Sequence, residues 1–249
     1  MRKILKEDFF KTFKNQSHVE QLKKVERKFE TFHNEATNTT EITIYGIIGD
    51  SWWDDSVSAS DIDNALKTIT GDIVINLNSP GGDAFDGIAI YNRLKKHDGK
   101  VTINVDGWAC SAASVIAMAA DELVMGLGSM IMIHEASTIV WGTKRDMRKE
   151  ADVLDNLEDG IIDIYMTKAN VERDEVRNMV DAETWLSAHK AVEIGFATST
   201  ASSSTSEDNE EVTELKAQML AMQNELQQLK NKEPEKPAPV KQNRAARLF

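Results

Sequence analysis

The stretch DIVINLNSPGGDAFDGIAIYNRL, residues 72–94, decides the fold. Ile73, Val74, Ile75 and Leu77 form an apolar, β-branched run that reads as a buried strand. Ser79-Pro80-Gly81-Gly82-Asp83 then punctuates the chain, because Pro lacks an N–H and Gly tolerates backbone conformations that other residues avoid. Beyond the turn Ile88, Ile90, Tyr91 and Leu94 recur at helical spacing. Strand, tight turn and helix make half of a βαβ unit, and VTINVDG (101–107) supplies the next strand.

The pattern continues in both directions. Upstream, EITIYGII (41–48) reads as a strand, and Ser58 stands three residues before Asp61 as a capping-box start for a helix carrying Ile62, Ala65, Leu66 and Ile69. Downstream, SAASVIAMAA (111–120) is a helix of small residues, and ELVMG and SMIMIHE are two further strands. A long helix is predicted over 143–169, with Met147, Ala151, Leu154, Ile161 and Tyr165 on one stripe. A short helix follows at 172–179; Ser187 then caps a last helix, Ala188–Ile194, that Gly195 stops. Strands alternating with helices at this spacing imply α/β architecture with right-handed crossovers.

The flanks have a different texture. Residues 1–40 place Ile4, Leu5, Phe9, Phe10, Phe13, Val19, Leu22, Val25 and Phe29 at spacings of three and four. This predicts a basic amphipathic helical extension packed on the body or on a partner. TSTASSSTSEDNEE (198–211) is a polar, low-complexity linker. Val212, Leu215, Met219, Met222, Leu226 and Leu229 then step by alternating threes and fours, a short heptad seam that needs a coiled-coil partner over 212–229. The expected division is an extension over 1–40, a folded body over 41–198, a linker over 199–211, a heptad helix over 212–232 and a Pro-rich basic tail over 233–249.

Composition removes several function classes. The 249 residues carry a net charge of −12. Residues 1–40 hold nine Lys/Arg against six Asp/Glu, so the acidity belongs to the body, where nucleic acid would need clustered cations. Cys110 is the only cysteine, which excludes an internal disulfide and a cysteine-based metal site. No apolar run is long enough for a membrane span or a signal peptide, so the expectation is a cytoplasmic protein without membrane contact.

Three stretches can carry chemistry. In GWACSAAS (107–114) a strand turns on Gly107 and Ser111 falls where a helix begins, among free N–H groups at the positive helix end. The plain alternative is an N-cap serine. Gly81 and Gly82, one crossover earlier, offer N–H groups able to hold a developing oxyanion, or only a turn. His134 closes its strand as a candidate general base, better placed than His18, His33, His97 or His189. Asp181 and Glu183 are the acids that can orient it.

Taken together, INLNSPGGDAFDGIAIYN, DGWACSAASVIAMAAD, GSMIMIHEAST and ETWLSAHKAVEIGFA resemble, in order, the motifs of the Clp protease proteolytic subunit family. The resemblance covers residues 41–198 and implies an α/β fold of ClpP/crotonase type: a repeated β-β-α/βαβ spiral with the long helix protruding as a handle. It implies a serine endopeptidase with Ser111 as nucleophile, His134 as base, and Gly82 and Ala112 N–H groups as oxyanion hole. Gly81 and Asp83 would contact substrate. The family's acid stands four residues before its Ser-Ala dipeptide, which here is Glu183; the family usually has Asp, and Asp181 is the rival. No metal or organic cofactor is implied, and a homo-oligomeric ring is.

The added flanks make the chain similar to the head-maturation (prohead) proteases of tailed phages, which implies capsid or scaffold protein as substrate and the host cytoplasm or assembling prohead as location. The alternatives are a housekeeping subunit serving an ATP-driven unfoldase and a catalytically silent assembly scaffold. A signal-peptide peptidase with Lys144 as base, or a crotonase-like acyl-CoA enzyme, fits the motifs less well.

Overall fold

The computed structural model describes residues 9–16, 18–49 and 56–201. The heptad seam and the tail lie outside these residues. The sheet is built from β1 (Lys28–Asn34), β2 (Thr39–Tyr45), β5 (Asp72–Ser79), β6 (Val101–Cys110), β7 (Glu122–Met125) and β10 (Ser199–Thr200), in that spatial order. Only β1 runs antiparallel to its neighbour on this path; the crossovers from β2 onward are parallel. Two short strands, β3 (Ile47–Ile48) and β4 (Ser56–Val57), pair separately.

β6 is long enough to serve two neighbours. Its first half pairs with β7, whereas Trp108–Cys110 pair with β8 (Met130–Ile133). β9 (Thr184–Ser187) then runs antiparallel to β8. The change of partner coincides with a register break between Leu77 and Ser79 of β5. Asn78 sits in the break, where its Oδ1 accepts from Trp108 N–H at 3.0 Å. A side chain on Gly107 would come within 2.8 Å of that oxygen and displace the Asn78 side chain from this bond.

Local sequence sets the helix starts. Ser58 and Asp61 close a reciprocal capping box at α2 (Ala59–Leu66; the short α1 is Val19–Leu22). Asp83 caps α3 (Ala84–Leu94), accepting from Phe85 and Asp86 N–H. α4 (Ala112–Ala117) is buried throughout. Thr143 and Asp146 box the start of α5 (Lys144–Met166). α6 (Arg173–Asp181) and α7 (Ala188–Glu193) follow, with Ser187 capping α7 and Gly195 at φ +85° after it.

The core lies between the sheet and these helices. Ile42, Ile75, Leu77, Ile103 and Ile116 are fully buried in it. Period-two alternation sends Ala109, Ile131, Ile133 and Leu186 to this side, and Cys110 and Met132 to the other.

Three expectations need correction. The amphipathic helix predicted through residue 29 is confined over its C-terminal part to Val19–Leu22, and Lys28–Asn34 is a strand. The folded body therefore begins inside the segment assigned to an extension over 1–40. A short apolar run fits either period, and pairing with β2 decides it. The body also runs past 198, because Ser199–Thr200 add a strand to β7. Within α5 the packed residues are Glu158, Ile162 and Tyr165, while Met147 is 49% exposed, so the predicted stripe faces the core only in its C-terminal half.

Candidate active site

Ser111 stands at the junction of β6 and α4 with φ +53° and ψ −124°. A serine rarely adopts that conformation, which costs on the order of 1–3 kcal/mol and must be held by its surroundings. Three contacts hold it. Ser111 N–H donates to Met132 O at 2.8 Å. Its own carbonyl accepts from Ser114 Oγ at 2.6 Å, and Ser114 Oγ meets Tyr165 OH at 2.7 Å. On the other side, a side chain at Gly81 would fall 2.5 Å from Cys110 O and 2.6 Å from Ser111 Cβ, so the glycine turn is pressed against the serine turn.

An N-cap serine would bond an N–H of its own helix. Ser111 makes no such bond. Its Oγ lies 2.8 Å from His134 Nε2 instead, positioned for the hydroxyl to donate to the imidazole. His134 follows β8 directly, so β8's pairing with β6 sets this separation. Burial lowers the His134 pKa from its ordinary value; the Glu183 carboxylate opposes this, and the Lys14 ammonium adds to it. The imidazole is thereby kept neutral and able to take a proton. Just beyond it, Ala136 N–H donates to Glu158 Oε1 at 2.9 Å, and Arg177 holds the other Glu158 oxygen at 2.8 Å, tying the loop after His134 to α5 and α6.

The glycine turn is fixed by β3. Ile48 N–H donates to Gly81 O and Asp83 N–H donates to Ile48 O, at 2.8 and 2.9 Å. This leaves Gly82 N–H, with Gly82 at φ +152°, and Ala112 N–H at the start of α4, without a bonded acceptor among the described residues. Two such donors beside a nucleophile are the requirement for stabilising an oxyanion. Asp83, expected at the substrate, has its side chain occupied in capping α3.

Glu183 is buried, with φ +54°. Its carboxylate accepts from the backbone N–H groups of Lys14 and Asn15, the latter at 2.7 Å, and from Trp185 Nε1 at 3.2 Å. Among the described residues no hydrogen bond joins it to His134. The rival Asp181 is exposed at the end of α6, and its backbone carbonyl accepts from Lys14 Nζ at 2.6 Å. Lys144, the alternative base, is exposed at the start of α5.

Sequence reasoning missed Phe13, whose ring stacks on His134 with centroids 5.3 Å apart and planes 17° apart. It also missed Ser114, Tyr165, Glu158 and Trp185. Only Ser114, a polar residue within the apolar run SAASVIAMAA, carries a signal in the sequence. No group of three or more His, Cys, Asp or Glu side chains among the described residues is arranged to hold a metal. No helix among them is long and apolar enough to cross a membrane.

The Clp protease family profile matches residues 26–204. Subunit 1 of the proteolytic component of the ATP-dependent Clp protease from Chlamydia pneumoniae is 32% identical over 135 residues, covering 53% of this chain and 71% of that protein. The corresponding subunit from Protochlamydia amoebophila is 30% identical over 128 residues, covering 50% of this chain and 62% of that protein, a little under two thirds of its length. A solved ClpP1 mutant from Listeria monocytogenes has a TM-score of 0.57 at 22% identity, over 66% of this chain and 91% of that one, a likeness of fold.

Proposed function

Because the chain belongs to the Clp protease family, we propose that it is a serine endopeptidase with Ser111 as nucleophile, His134 as general base and Glu183 as the acid that orients it. The observation that carries this reading is the 2.8 Å approach of Ser111 Oγ to His134 Nε2 at a strained strand-to-helix turn. Ser111 Oγ attacks a peptide carbonyl as its proton passes to Nε2. The Gly82 and Ala112 N–H groups hold the oxyanion. The imidazolium then gives its proton to the leaving nitrogen as the C–N bond breaks, leaving an ester on Ser111. Water attacks that ester with His134 again as base, and the proton returns to Ser111 Oγ.

The substrate we infer is a capsid or scaffold protein processed in the prohead of a tailed phage, in the host cytoplasm. Support comes from the flanks outside the matched span, above all the seam Val212–Leu229. We infer a homo-oligomeric ring, supported by the exposed apolar residues Ile139, Trp141, Met147 and Val153 around the start of α5. Mass spectrometry of the protein co-expressed with its neighbouring capsid protein tests the reading: cleavage should vanish in Ser111→Ala, and undiminished processing removes it.

A second reading rests on the relatives, which are subunits of ATP-dependent proteases. It expects stable capture of a cellular unfoldase in a pull-down. A silent assembly scaffold would show no Ser111 labelling by a fluorophosphonate.

A further inference from the structure

Residues 9–16 and 18–22 lie outside the span matched by the family, yet they are seated against the candidate triad. Phe9, Phe10, Phe13, Val19 and Leu22 are buried against Ile47, Cys110 and Met132 on the sheet face that the helices leave uncovered. The indoles of Trp108 and Trp185 flank the seat, and the His18 ring lies 5.7 and 5.0 Å from them. Thr12 Oγ1 and Gln16 Nε2 bond back to carbonyls of the same segment, so it holds a defined turn of its own. At the rim, Lys14 Nζ pairs with Glu135 at 2.7 Å and reaches Asp181 O.

Two backbone N–H groups of this segment donate to the catalytic acid. Glu183 has one oxygen on Lys14 N–H and the other on Asn15 N–H. The phenyl ring of Phe13 covers one face of the His134 imidazole. The nucleophile and base are joined, but the acid is bonded to the segment and not to the base. We propose that residues 9–22 form an inhibitory strap, which holds Glu183 away from His134 and keeps the enzyme latent until the strap leaves its seat.

The proposal rests on the peptidase reading above. Displacing the strap frees the carboxylate to accept from His134 Nδ1–H, which fixes the tautomer that leaves Nε2 free to take the Ser111 proton. The apolar seat makes release a switch: five buried side chains leave together, and anything that competes for the seat, such as an aromatic-rich peptide, does the same work. Cys110 lies at the bottom of the seat, fully buried, so its thiol reports the strap independently of catalysis.

The test uses the full chain. Phe10→Ser combined with Phe13→Ser removes two of the five apolar anchors, both under 3% exposed. Asn15→Pro removes one donor to Glu183 while leaving the anchors in place, and serves if the double variant does not fold. Ser111 labelling by a fluorophosphonate and Cys110 alkylation by iodoacetamide are measured on each, with circular dichroism as the fold control. The double variant should label about tenfold faster than wild type or more, part of the roughly 10⁴-fold that losing the acid's hold on histidine costs a Ser–His–Asp enzyme. Its Cys110 should become reactive, and a synthetic FFKTFKNQ peptide (residues 9–16) should slow its labelling again. Asn15→Pro should also label faster than wild type.

Labelling that is unchanged or slower while Cys110 becomes reactive overturns the strap and makes the segment a support for the triad. The peptidase reading then still stands on the wild-type labelling. Absence of Ser111 labelling in every variant, with Cys110 reactive, removes both.

Discussion

Gly82→Ala tests the oxyanion geometry directly. The new Cβ would lie 1.9 Å from Ile48 O and 2.8 Å from Ile48 C, at a φ of +152° that side chains rarely adopt. Real Cβ contacts are essentially never under 3.0 Å, so the glycine turn and β3 must separate by more than about 1 Å. That movement opens the Asp83 N–H to Ile48 O bond and carries Gly82 N–H away from the carbonyl it would serve. A misplacement of about 1 Å costs on the order of 10²-fold, and loss of one oxyanion donor about 10²–10³-fold, or roughly 3–4 kcal/mol. We expect kcat for a fluorogenic peptide to fall by that factor, with KM changed far less. Thermal melting separates this from loss of fold. Gly160→Ala is the control: nothing lies within 4 Å of its Cβ on α5, and it should stabilise the chain by about 0.5–1 kcal/mol at unchanged kcat. A Gly82→Ala enzyme that melts normally and keeps activity within threefold refutes the assignment.

The Ser111 labelling rate should rise with pH through a midpoint below 6.5, because burial lowers the His134 pKa; a midpoint above 6.5 contradicts it. The same shift links to stability. The folded pKa is depressed, so the contribution is fully present above 6.5 and is lost as pH falls through the lower folded value, which melting between pH 7 and 5 measures. Ser114→Ala leaves Tyr165 OH without its partner and removes the hydroxyl bond to Ser111 O, which keeps the Ser114 N–H at 2.9 Å; it should cost about 1–3 kcal/mol in urea unfolding and slow labelling by relaxing the strained turn. Equal stability and rate would show that the turn is held elsewhere. Trp141, 92% exposed beside Ile139 and Val140, should anchor a subunit contact; Trp141→Ser is expected to shift sedimentation toward smaller species, and an unchanged profile removes that role.

Much of this arrangement is written in short-range patterns. The buried strand over 72–78, the turn at Pro80-Gly81-Gly82, the capping box of Ser58 and Asp61 and the stop at Gly195 each depend on residues within a few positions of one another, and each forms as read. Ser111 and His134 are legible as candidates because the one opens a helix of small residues and the other closes a strand, although β6 runs through Gly107 to Cys110 and not only to the turn expected there. Their contact is not legible, since it depends on β8 pairing with the far half of β6 rather than with β7's side of the sheet. The helical spacing that runs on to Phe29 suits a strand as well at its end, and only pairing with the β2 edge places Phe29 in a strand.

The sequence by itself determined the order of elements, the residue types of the candidate nucleophile, base and oxyanion turn, and the apolar character of Phe9, Phe10 and Phe13. Tertiary structure alone decided where those phenylalanines go and what holds Glu183. The reason is physical. The carboxylate is bound by backbone N–H groups 168 and 169 residues away, and every residue but proline carries the same N–H. No side-chain pattern marks which amides will be used. Their selection follows from the seat on the uncovered sheet face, which exists only once the strands have paired.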